Sequence, residues 1–449
     1  MKILIVGAGQ VGFFLCERLS LEGHEVTLID RDEAQLNKAQ ERLNVMALSG
    51  NGASAELLEQ ANIKETDIFI AVTNLDEVNI LACLLAREYG VKTRIARVKS
   101  IEYRSQGAIL SKEKLGIDLL INPTDEVADE MVKISCRSGA FDAAEFVEGK
   151  IQFLGYRIDE ESPLCGMTLR EVGELRGMYH FVITAITRGD ITIIPRGEDI
   201  IQKGDSIFIF AHTKDLPAIQ FLLKPQKKKK NRCRVFILGG SKVGVRIAKQ
   251  LEQQNFDVRL IDHDEKRCHK ISAQLEKTMV INAEGTDIHS LIEEGIDSAD
   301  LFIAVTNTDA TNILCALLMK QYGAARTLAL INTPELLKLA PTLGIDAYVS
   351  PRLSAAGAIL KYVRRGGVIS LTTIEGSNSE VLEFEVKQSN CAINKPLKDI
   401  KFPNGAIIGA IVRDSSYEIA SGDSQLLQGD RVVVFALPES LSKVEKFFE

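Results

Sequence analysis

Short runs of apolar residues alternate with stretches of helical periodicity along the first part of the chain. Ile3–Val6 is an apolar run, and apolar residues spaced three or four apart follow it as far as Leu19. Helical spacing returns later, for example at Asn79–Tyr89. Further strand-like runs are Glu25–Ile29, Val45–Leu48, Ile68–Val72 and Thr93–Val98. Strands that alternate with helices in this way favour a parallel, doubly wound sheet.

The chain contains this pattern twice. The segment KILIVGAGQVG at the start recurs as RVFILGGSKVG from residue 234. Residues 66–90 recur at 299–323, with 15 of 25 positions identical. A repeat of this length indicates that one supersecondary plan is used twice.

Each copy is followed by a helical stretch, which begins near Pro123 or Pro351, and then by a short segment rich in strands. We therefore predict an α/β fold with two tandem Rossmann-like parallel-sheet lobes, each followed by a small α+β C-lobe. A Lys-rich linker at 224–232 is the clearest boundary. The predicted order is N-lobe 1 (1–123), a crossover helix (124–141), C-lobe 1 (142–226), N-lobe 2 (227–349), a second crossover helix (350–367) and C-lobe 2 (368–449).

Composition narrows the possible partners. The 449 residues carry a net charge of −7, so nothing favours nucleic acid as a partner. The basic run Lys227–Lys230 is typical of a solvated linker, with contact to an anionic surface as the alternative. Eight Cys are scattered without a CxxC pair, which suits a reducing cytosol and predicts neither a disulfide framework nor a zinc site. No apolar run approaches the ~20 residues of a spanning helix, so we expect the chain not to cross a membrane.

The first copy has the spacing of a dinucleotide-binding turn. Gly7, Gly9 and Gly12 form GxGxxG between a strand and a helix, and Asp30 follows Gly7 by 23 residues. The glycines suit a tight turn, backbone approach to a pyrophosphate and close helix–strand packing, while the carboxylate suits ribose hydroxyls. Asp30 favours NAD over NADP, although the adjacent Arg31 weakens that argument. AMP, ADP and ATP carry the same ribose hydroxyls, and a Rossmann-like lobe with an empty crevice is the alternative.

Two further positions lie where ligands of open α/β sheets bind. Thr73 and Asn74 end the fourth strand, although Asn74 and Asp76 also suit simple capping of the next helix. Arg97, near the end of the fifth strand, suits a bidentate contact with phosphate, or else a surface ion pair.

The second copy departs from this pattern. Ser241 replaces the middle glycine, which crowds the approach of a pyrophosphate, and Leu330 replaces Arg97. Asp262 is retained 23 residues after Gly239, and Lys242 either compensates for the lost arginine or faces solvent. Whether this copy binds a nucleotide stays open from the sequence.

Catalytic constellations are missing from the sequence. The six His do not recur between the copies, and none lies in a motif with an acid that would orient it. Neither GxSxG, HExxH nor a Walker A sequence is present. We therefore predict that the chain is not an enzyme, with no catalytic residue and no metal ligand.

Taken together, these motifs resemble the TrkA family, the RCK (KTN) regulatory subunits of bacterial Trk-type potassium uptake. The resemblance extends over essentially the whole chain. It rests on GAGQVG with Asp30, on AVTNLDEVN at 71–79 and AVTNTDATN at 304–312, and on the tandem order of the lobes. The C-lobe endings at 204–211 and 429–436 are also similar to the family.

The resemblance implies a ring of four chains, bound peripherally at the cytoplasmic face of the inner membrane, that gates a membrane-embedded potassium-translocating subunit. It implies NAD(H) or ATP/ADP as the regulatory ligand of the N-lobes. In N-lobe 1 the implied nucleotide-binding residues are Gly7, Ala8, Gly9, Gln10, Val11, Gly12, Asp30, Thr73, Asn74 and Arg97. In N-lobe 2 they are Gly239, Gly240, Ser241, Lys242, Val243, Gly244, Asp262, Thr306 and Asn307.

Two other classes of function remain open at this point. One is a soluble NAD-dependent oxidoreductase, for which the sequence lacks a catalytic pair and a sizeable substrate domain. The other is a structural adaptor of the transporter whose crevices sense nothing. The sequence does not indicate which nucleotide activates, whether a ligand binds the C-lobes, or which surface contacts the membrane partner.

Overall fold

The parallel sheets and the C-lobes fall into two compact units. The first comprises Met1–Val127 and Pro351–Arg364, and the second comprises Ala128–Ser350 and Arg365–Glu449. Most of the predicted linker at 224–232, residues 137–139 of the first predicted crossover helix and residues 364–367 of the second lie outside the described residues. The computed structural model describes residues 1–103, 110–136, 140–147, 149–175, 180–189, 191–223, 232–363, 368–373, 379–387, 390, 392–413 and 416–448.

N-lobe 1 is a parallel sheet of six strands in the order β3-β2-β1-β4-β5-β6, with helices between the strands. The central strand β1 is an apolar run because four of its five residues are buried. The elements are β1 (Lys2–Val6), α1 (Gln10–Leu21), β2 (Glu25–Asp30), α2 (Glu33–Arg42), β3 (Met46–Ser49), α3 (Ala55–Gln60), β4 (Ile68–Ala71), α4 (Asp76–Glu88), β5 (Thr93–Arg97), α5 (Lys112–Leu115), β6 (Leu119–Ile121) and the crossover helix α6 (Pro123–Ser135).

C-lobe 1 is an antiparallel sheet in the order β10-β9-β11-β8-β7, with two short helices. Its elements are β7 (Asp142–Phe146), β8 (Ile151–Arg157), α7 (Leu169–Leu175), β9 (Phe181–Arg188), β10 (Ile191–Ile193), β11 (Ser206–His212) and α8 (Leu216–Leu223).

N-lobe 2 repeats the first sheet, in the order β14-β13-β12-β15-β16-β17, and again all strand pairs are parallel. The two sheets confirm the predicted pair of Rossmann-like lobes. The elements are β12 (Arg234–Leu238), α9 (Lys242–Gln253), β13 (Asp257–Asp262), α10 (Glu265–Ser272), β14 (Met279–Asn282), α11 (Ile288–Glu293), β15 (Leu301–Ala304), α12 (Asp309–Gln321), β16 (Thr327–Leu330), α13 (Pro334–Leu343), β17 (Ala347–Val349) and the crossover helix α14 (Pro351–Val363).

C-lobe 2 has the topology of C-lobe 1, with the strand order β18-β19-β22-β20-β21. Its elements are β18 (Val368–Thr373), β19 (Glu380–Glu385), β20 (Ala406–Arg413), β21 (Ser416–Ile419), β22 (Arg431–Ala436) and α15 (Leu441–Phe448).

The crossover helices pack on helices from other parts of the chain. In the first unit, α14 packs against α1, and the guanidinium of Arg352 lies 5.1 Å from the ring centre of Phe14. In the second unit, Asp129 of α6 accepts hydrogen bonds from Arg246 and Gln250 of α9, at 3.3 and 2.6 Å. Within the described ranges, no helix combines the length and the apolar character needed to cross a membrane.

The two C-lobes share one apolar core in the second unit. Phe153 is fully buried and packs on Phe208 and Phe210 of its own lobe and on Phe435 of C-lobe 2. Gly409 of C-lobe 2 admits the ring of Phe210, since a Cβ there would lie 2.0 Å from the ring's Cδ2 atom. These contacts bury aromatic area from both lobes in one cluster.

The two C-lobes share an ion pair between an arginine and a buried aspartate. In C-lobe 1, the buried Asp205 accepts two hydrogen bonds of 2.8 Å from Arg188. In C-lobe 2, Asp430 accepts bonds of 2.9 and 2.8 Å from Arg413. Such bidentate pairs fix both position and orientation. Each pair therefore ties the end of one strand to the turn before the neighbouring strand of the sheet, β11 in C-lobe 1 and β22 in C-lobe 2.

The shared C-lobe core predicts a large effect of one truncation. Phe153→Ala should lower the free energy of unfolding by about 3–5 kcal/mol, because a buried aromatic ring is replaced by a cavity between the lobes. Urea unfolding followed by far-ultraviolet circular dichroism measures the loss. Ile191→Ala is the matched control, since Ile191 is 67% exposed and its truncation should cost no more than about 0.5 kcal/mol. Equal effects of the two variants would contradict a shared core.

Candidate functional site

The three glycines of N-lobe 1 stand in three different environments. Gly7 has a φ of 114°, and a Cβ there would lie 2.9 Å from the backbone nitrogen of Thr73. A Cβ on Gly12 would lie 1.8 Å from the carbonyl oxygen of Gly7, so only glycine lets α1 approach β1 this closely. Around Gly9 there is nothing within 4 Å of such a Cβ. The turn therefore leaves open space directly in front of α1.

This open space faces the start of an uncapped helix. Gly9 is the N-cap of α1 and offers no side chain to the first-turn N–H groups. Helix N-termini with free N–H groups favour anions. Gln10 is exposed at the start of α1, whereas Ala8 and Val11 are buried. The arrangement is suited to a phosphate group.

The carboxylate of Asp30 holds the glycine-rich turn in place. It accepts hydrogen bonds from the backbone N–H of Ala8, at 2.5 Å, and of Asp32, at 2.9 Å. Since a carboxylate has about four acceptor positions, these two bonds leave capacity for ribose hydroxyls. Asp30 is half-buried and in reach of the crevice at the end of β2. It therefore organises the turn whether or not a ligand is present.

A buried asparagine joins the ends of the two neighbouring strands. The side-chain oxygen of Asn79 accepts bonds from the backbone N–H and the hydroxyl of Thr73, at 2.9 and 2.7 Å. Its side-chain nitrogen donates to the carbonyl of Thr73, at 3.1 Å, and to that of Arg97, at 2.8 Å. We call this four-bond arrangement the Asn79 clamp. The hydroxyl of Thr73 is used inside the protein by this clamp.

Asp76 has a role other than the helix capping that the sequence suggested. Its carboxylate accepts from the backbone N–H groups of Lys99 and Ser100, at 2.9 and 2.8 Å, in the loop after β5. The N-cap of α4 is Leu75, which makes no side-chain capping bond. Asp76 therefore anchors the loop beside the crevice, and the exposed Asn74 is left at its edge.

Arg97 brings a positive charge to this edge. One terminal nitrogen donates to the side-chain oxygen of Asn74 at 3.3 Å, and its Nε is buried without a hydrogen-bond partner among the described residues. Burial lowers the pKa of Arg97 from its ordinary value, while the charge of Asp76 acts in the opposite direction. A half-buried guanidinium with unused donors suits a bound anion.

In N-lobe 2 the equivalent positions are filled by the lobe's own side chains. The hydroxyl of Ser241 accepts from the N–H of Gly244 at 3.3 Å and donates to the carbonyl of Val305 at 3.1 Å, so α9 is capped. Asp262 accepts from the N–H of Gly240 at 2.6 Å, as Asp30 does from Ala8. Asp262 is only 3% exposed, and the guanidinium of Arg267 lies 3.1 Å from it.

The rest of N-lobe 2 keeps the architecture of N-lobe 1. Gly239 has a φ of 112°, and Asn312 makes the equivalent clamp to Thr306 and to the carbonyl of Leu330. The side chain of Leu330 is buried. At the rim of the turn, Lys242 and Asn307 are exposed, whereas Val243 is half-buried. The turn is thus built in the same way, but its helix N-terminus and its carboxylate already have partners within the lobe.

Sequence reasoning missed two residues that matter here. Asn79 recurs as Asn312 within the paired TNxDxxN motif, so its recurrence was a signal, but the motif does not reveal a clamp. Arg267 stands where N-lobe 1 has Gln35, and nothing in the spacing indicates its ion pair with Asp262. Both roles depend on contacts between separate elements.

The two N-lobes and the two C-lobes match the domains of a known family. The TrkA-N domain profile matches residues 3–123 and 235–351, and the TrkA-C domain profile matches 153–224 and 381–449. The chain belongs to the TrkA family. It is 36% identical to the Trk system potassium uptake protein TrkA homolog 1 of Methanosarcina mazei over 457 aligned positions, which cover all of both chains.

Solved structures share the fold. The GsuK RCK domain has a TM-score of 0.60 at 19% identity, over 99% of this chain and 95% of that one. The GsuK channel bound to NAD has a TM-score of 0.59 at 20% identity, over 100% of this chain and 78% of that one. These likenesses confirm the predicted fold class.

The environments of Gly9 and Gly12 predict losses of stability of different size for the same substitution. Gly12→Ala should lower the free energy of unfolding by at least about 1–3 kcal/mol, since the new methyl group overlaps backbone atoms that cannot move aside. Gly9→Ala meets open space and should cost no more than about 1 kcal/mol, the usual difference at an N-cap. Urea unfolding of the two variants measures this difference. Equal stabilities would mean that α1 does not pack on β1 as described.

Proposed function

We propose that this chain is the regulatory subunit of a Trk-type potassium uptake system. It acts in the cytoplasm, peripherally at the inner membrane, as a ring of four chains that gates a membrane-embedded potassium-translocating subunit. The observation that carries this proposal is the match to TrkA domains in both halves of the chain, with a named relative aligned from end to end. No chemical step is assigned to the chain.

NAD(H) or ATP/ADP is the proposed regulatory ligand, and N-lobe 1 is its proposed site. The phosphates would lie before Gly9 at the uncapped start of α1, with Arg97 contacting them and Asp30 accepting from ribose hydroxyls. The GsuK channel, which shares the fold, is described as bound to NAD, which supports a nucleotide in this crevice.

N-lobe 2 is proposed as a structural half of the ring. Its helix N-terminus is capped by Ser241, its carboxylate is paired with Arg267, and Leu330 stands in the place of Arg97. A nucleotide would have to displace two internal contacts there and would gain no arginine in return. We therefore expect one nucleotide site in each chain.

The proposed switch follows from what a ligand contacts in N-lobe 1. A ligand moves an equilibrium only by binding one state better than the other. Contacts at Arg97 act on the end of β5, and the Asn79 clamp ties that end to Thr73, two residues after β4. A differential affinity of about 1–3 kcal/mol is typical of such coupling, and a few charged hydrogen bonds supply it.

Replacing Arg97 by the residue of N-lobe 2 tests the site. Arg97→Leu should weaken nucleotide binding about tenfold or more, since a hydrogen bond to a charged group contributes about 1.5–3 kcal/mol. Calorimetric titration with NADH, NAD, ATP and ADP measures affinity and stoichiometry. Arg97→Leu tests ligand contact more directly than Asp30→Ala, because Asp30→Ala also removes an acceptor that holds the turn.

Arg42→Leu serves as the matched control, because Arg42 is an exposed arginine in the same lobe. Its titration should equal that of the unaltered chain, with one site per chain. Affinity unchanged by Arg97→Leu would remove Arg97 from the site. Two equal sites per chain would show that N-lobe 2 opens despite Ser241 and Arg267.

Potassium flux through the reconstituted partner tests the regulatory role itself. We expect the flux to change when the bound nucleotide is exchanged, and we expect Arg97→Leu to blunt that response by shifting it to higher nucleotide concentration. Flux that ignores all four nucleotides would favour the adaptor. A steady fall of absorbance at the reduced nicotinamide band, with any candidate substrate, would favour the oxidoreductase.

A further inference from the structure

Two histidines and an aspartate converge at one end of C-lobe 1. His180 directly precedes β9, His212 ends the neighbouring strand β11, and Asp215 lies in the turn before α8. One ligand atom from each of the three side chains lies within 4.8 Å of the others. The Nδ1 atom of His180 is 2.9 Å from a carboxylate oxygen of Asp215, and the two imidazole rings stack with centres 5.1 Å apart.

The histidine inside this cluster has an unused nitrogen. The Nε2 atom of His212 is buried and has no hydrogen-bond partner among the described residues. Burial, and then the nearby charge of His180, lower the pKa of His212, while Asp215 opposes this shift. The side chain of His180 is 65% exposed, which leaves the cluster open to solvent.

C-lobe 2 shows that the fold does not need these side chains. At an offset of 225 residues, its equivalents are Gly405, Leu437 and Ser440. The backbone bond between the two strand ends is the same in both lobes, from His212 to His180 at 3.2 Å and from Leu437 to Gly405 at 2.8 Å. The three polar side chains are thus an addition to a scaffold that forms without them.

We propose that His180, His212 and Asp215 form a binding site for a divalent transition-metal cation such as Zn²⁺. Two imidazoles and one carboxylate are a common donor set for first-row metals, with water completing the coordination. The bond between His180 and Asp215 already brings two of the donors together.

The site is positioned to affect the pairing of the C-lobes. The ring of His212 lies edge-to-face with that of Tyr417 on β21 of C-lobe 2, with centres 4.7 Å apart. The ammonium group of Lys150 stands 5.9 Å from the same tyrosine ring. A metal held by His212 fixes the orientation of this imidazole against C-lobe 2 and so stabilises the lobe pair, through residues that are not part of the proposed nucleotide site.

Substitutions taken from C-lobe 2 test the site without disturbing the fold. The full-length chain, freed of metal with chelator, is dialysed against ZnCl₂ without nucleotide, and bound zinc is counted by mass spectrometry. His212→Leu and Asp215→Ser should each lower zinc affinity at least about tenfold, since the loss even of a supporting residue costs 10–100-fold. His269→Leu, an exposed histidine in N-lobe 2, should bind zinc as the unaltered chain does.

Two further measurements distinguish metal binding at this site from metal binding at cysteines, and a lost site from a misfolded variant. Co²⁺ bound at the site should show visible d–d bands without a thiolate charge-transfer band, and both variants should lose the d–d bands. Zinc should raise the unfolding temperature of the unaltered chain and of His269→Leu, but not of the two site variants. Zinc binding that is unchanged in both site variants, or the absence of saturable binding in the unaltered chain, would overturn the proposal.

Discussion

The glycine-rich turn of each N-lobe depends on a carboxylate supplied by the next strand. Asp30 and Asp262 each accept from the backbone N–H of the residue after the first glycine, at 2.5 and 2.6 Å. This bond fixes the turn, and the fixed turn aims the helix N-terminus at the crevice. The same carboxylate is also the group expected to meet a ribose. The carboxylate can hold the turn and also accept from a ribose only where it keeps unused acceptor positions. In N-lobe 2 the ion pair of Asp262 with Arg267 occupies those positions.

The internal repeat separates architecture from ligand chemistry. The clamps of Asn79 and Asn312, and the ion pairs of Asp205 and Asp430, recur with nearly the same geometry. They join elements distant in sequence, and their loss would leave buried polar groups without partners. Ser241, Arg267 and Leu330 differ from their counterparts in N-lobe 1 beside the crevice, and His180, His212 and Asp215 differ from their counterparts in C-lobe 2. The chain therefore contains the same scaffold twice, with different side chains at the crevice where a nucleotide is proposed to bind.

Much of the scaffold was predictable because its signals are local. Short apolar runs that alternate with stretches of helical spacing predicted both parallel sheets. The glycine positions predicted where helix and strand approach closely. The start of α4 was placed at Asn79, three residues late, because its first turn is polar and Asp76 bonds to another loop. The ion pair of Arg267 and the convergence of His180, His212 and Asp215 were not predictable, since neither has a spacing that indicates contact. They arise from the way separate strands end side by side.

The half-buried charge of Arg97 is the physical basis for proposing that the crevice of N-lobe 1 responds to an anion. Burial disfavours a guanidinium whose donors are not all used, and Asp76, which binds the loop after β5, compensates only in part. An anion at this position supplies the missing acceptors in a place of low dielectric, where a charged hydrogen bond is strong. The backbone of Arg97 is held to Thr73 by the Asn79 clamp. A change in how the guanidinium is satisfied therefore acts on the ends of two adjacent strands together. N-lobe 2 keeps the clamp but has Leu330 at this position, so it keeps the rigid connection without the charge that would make it respond.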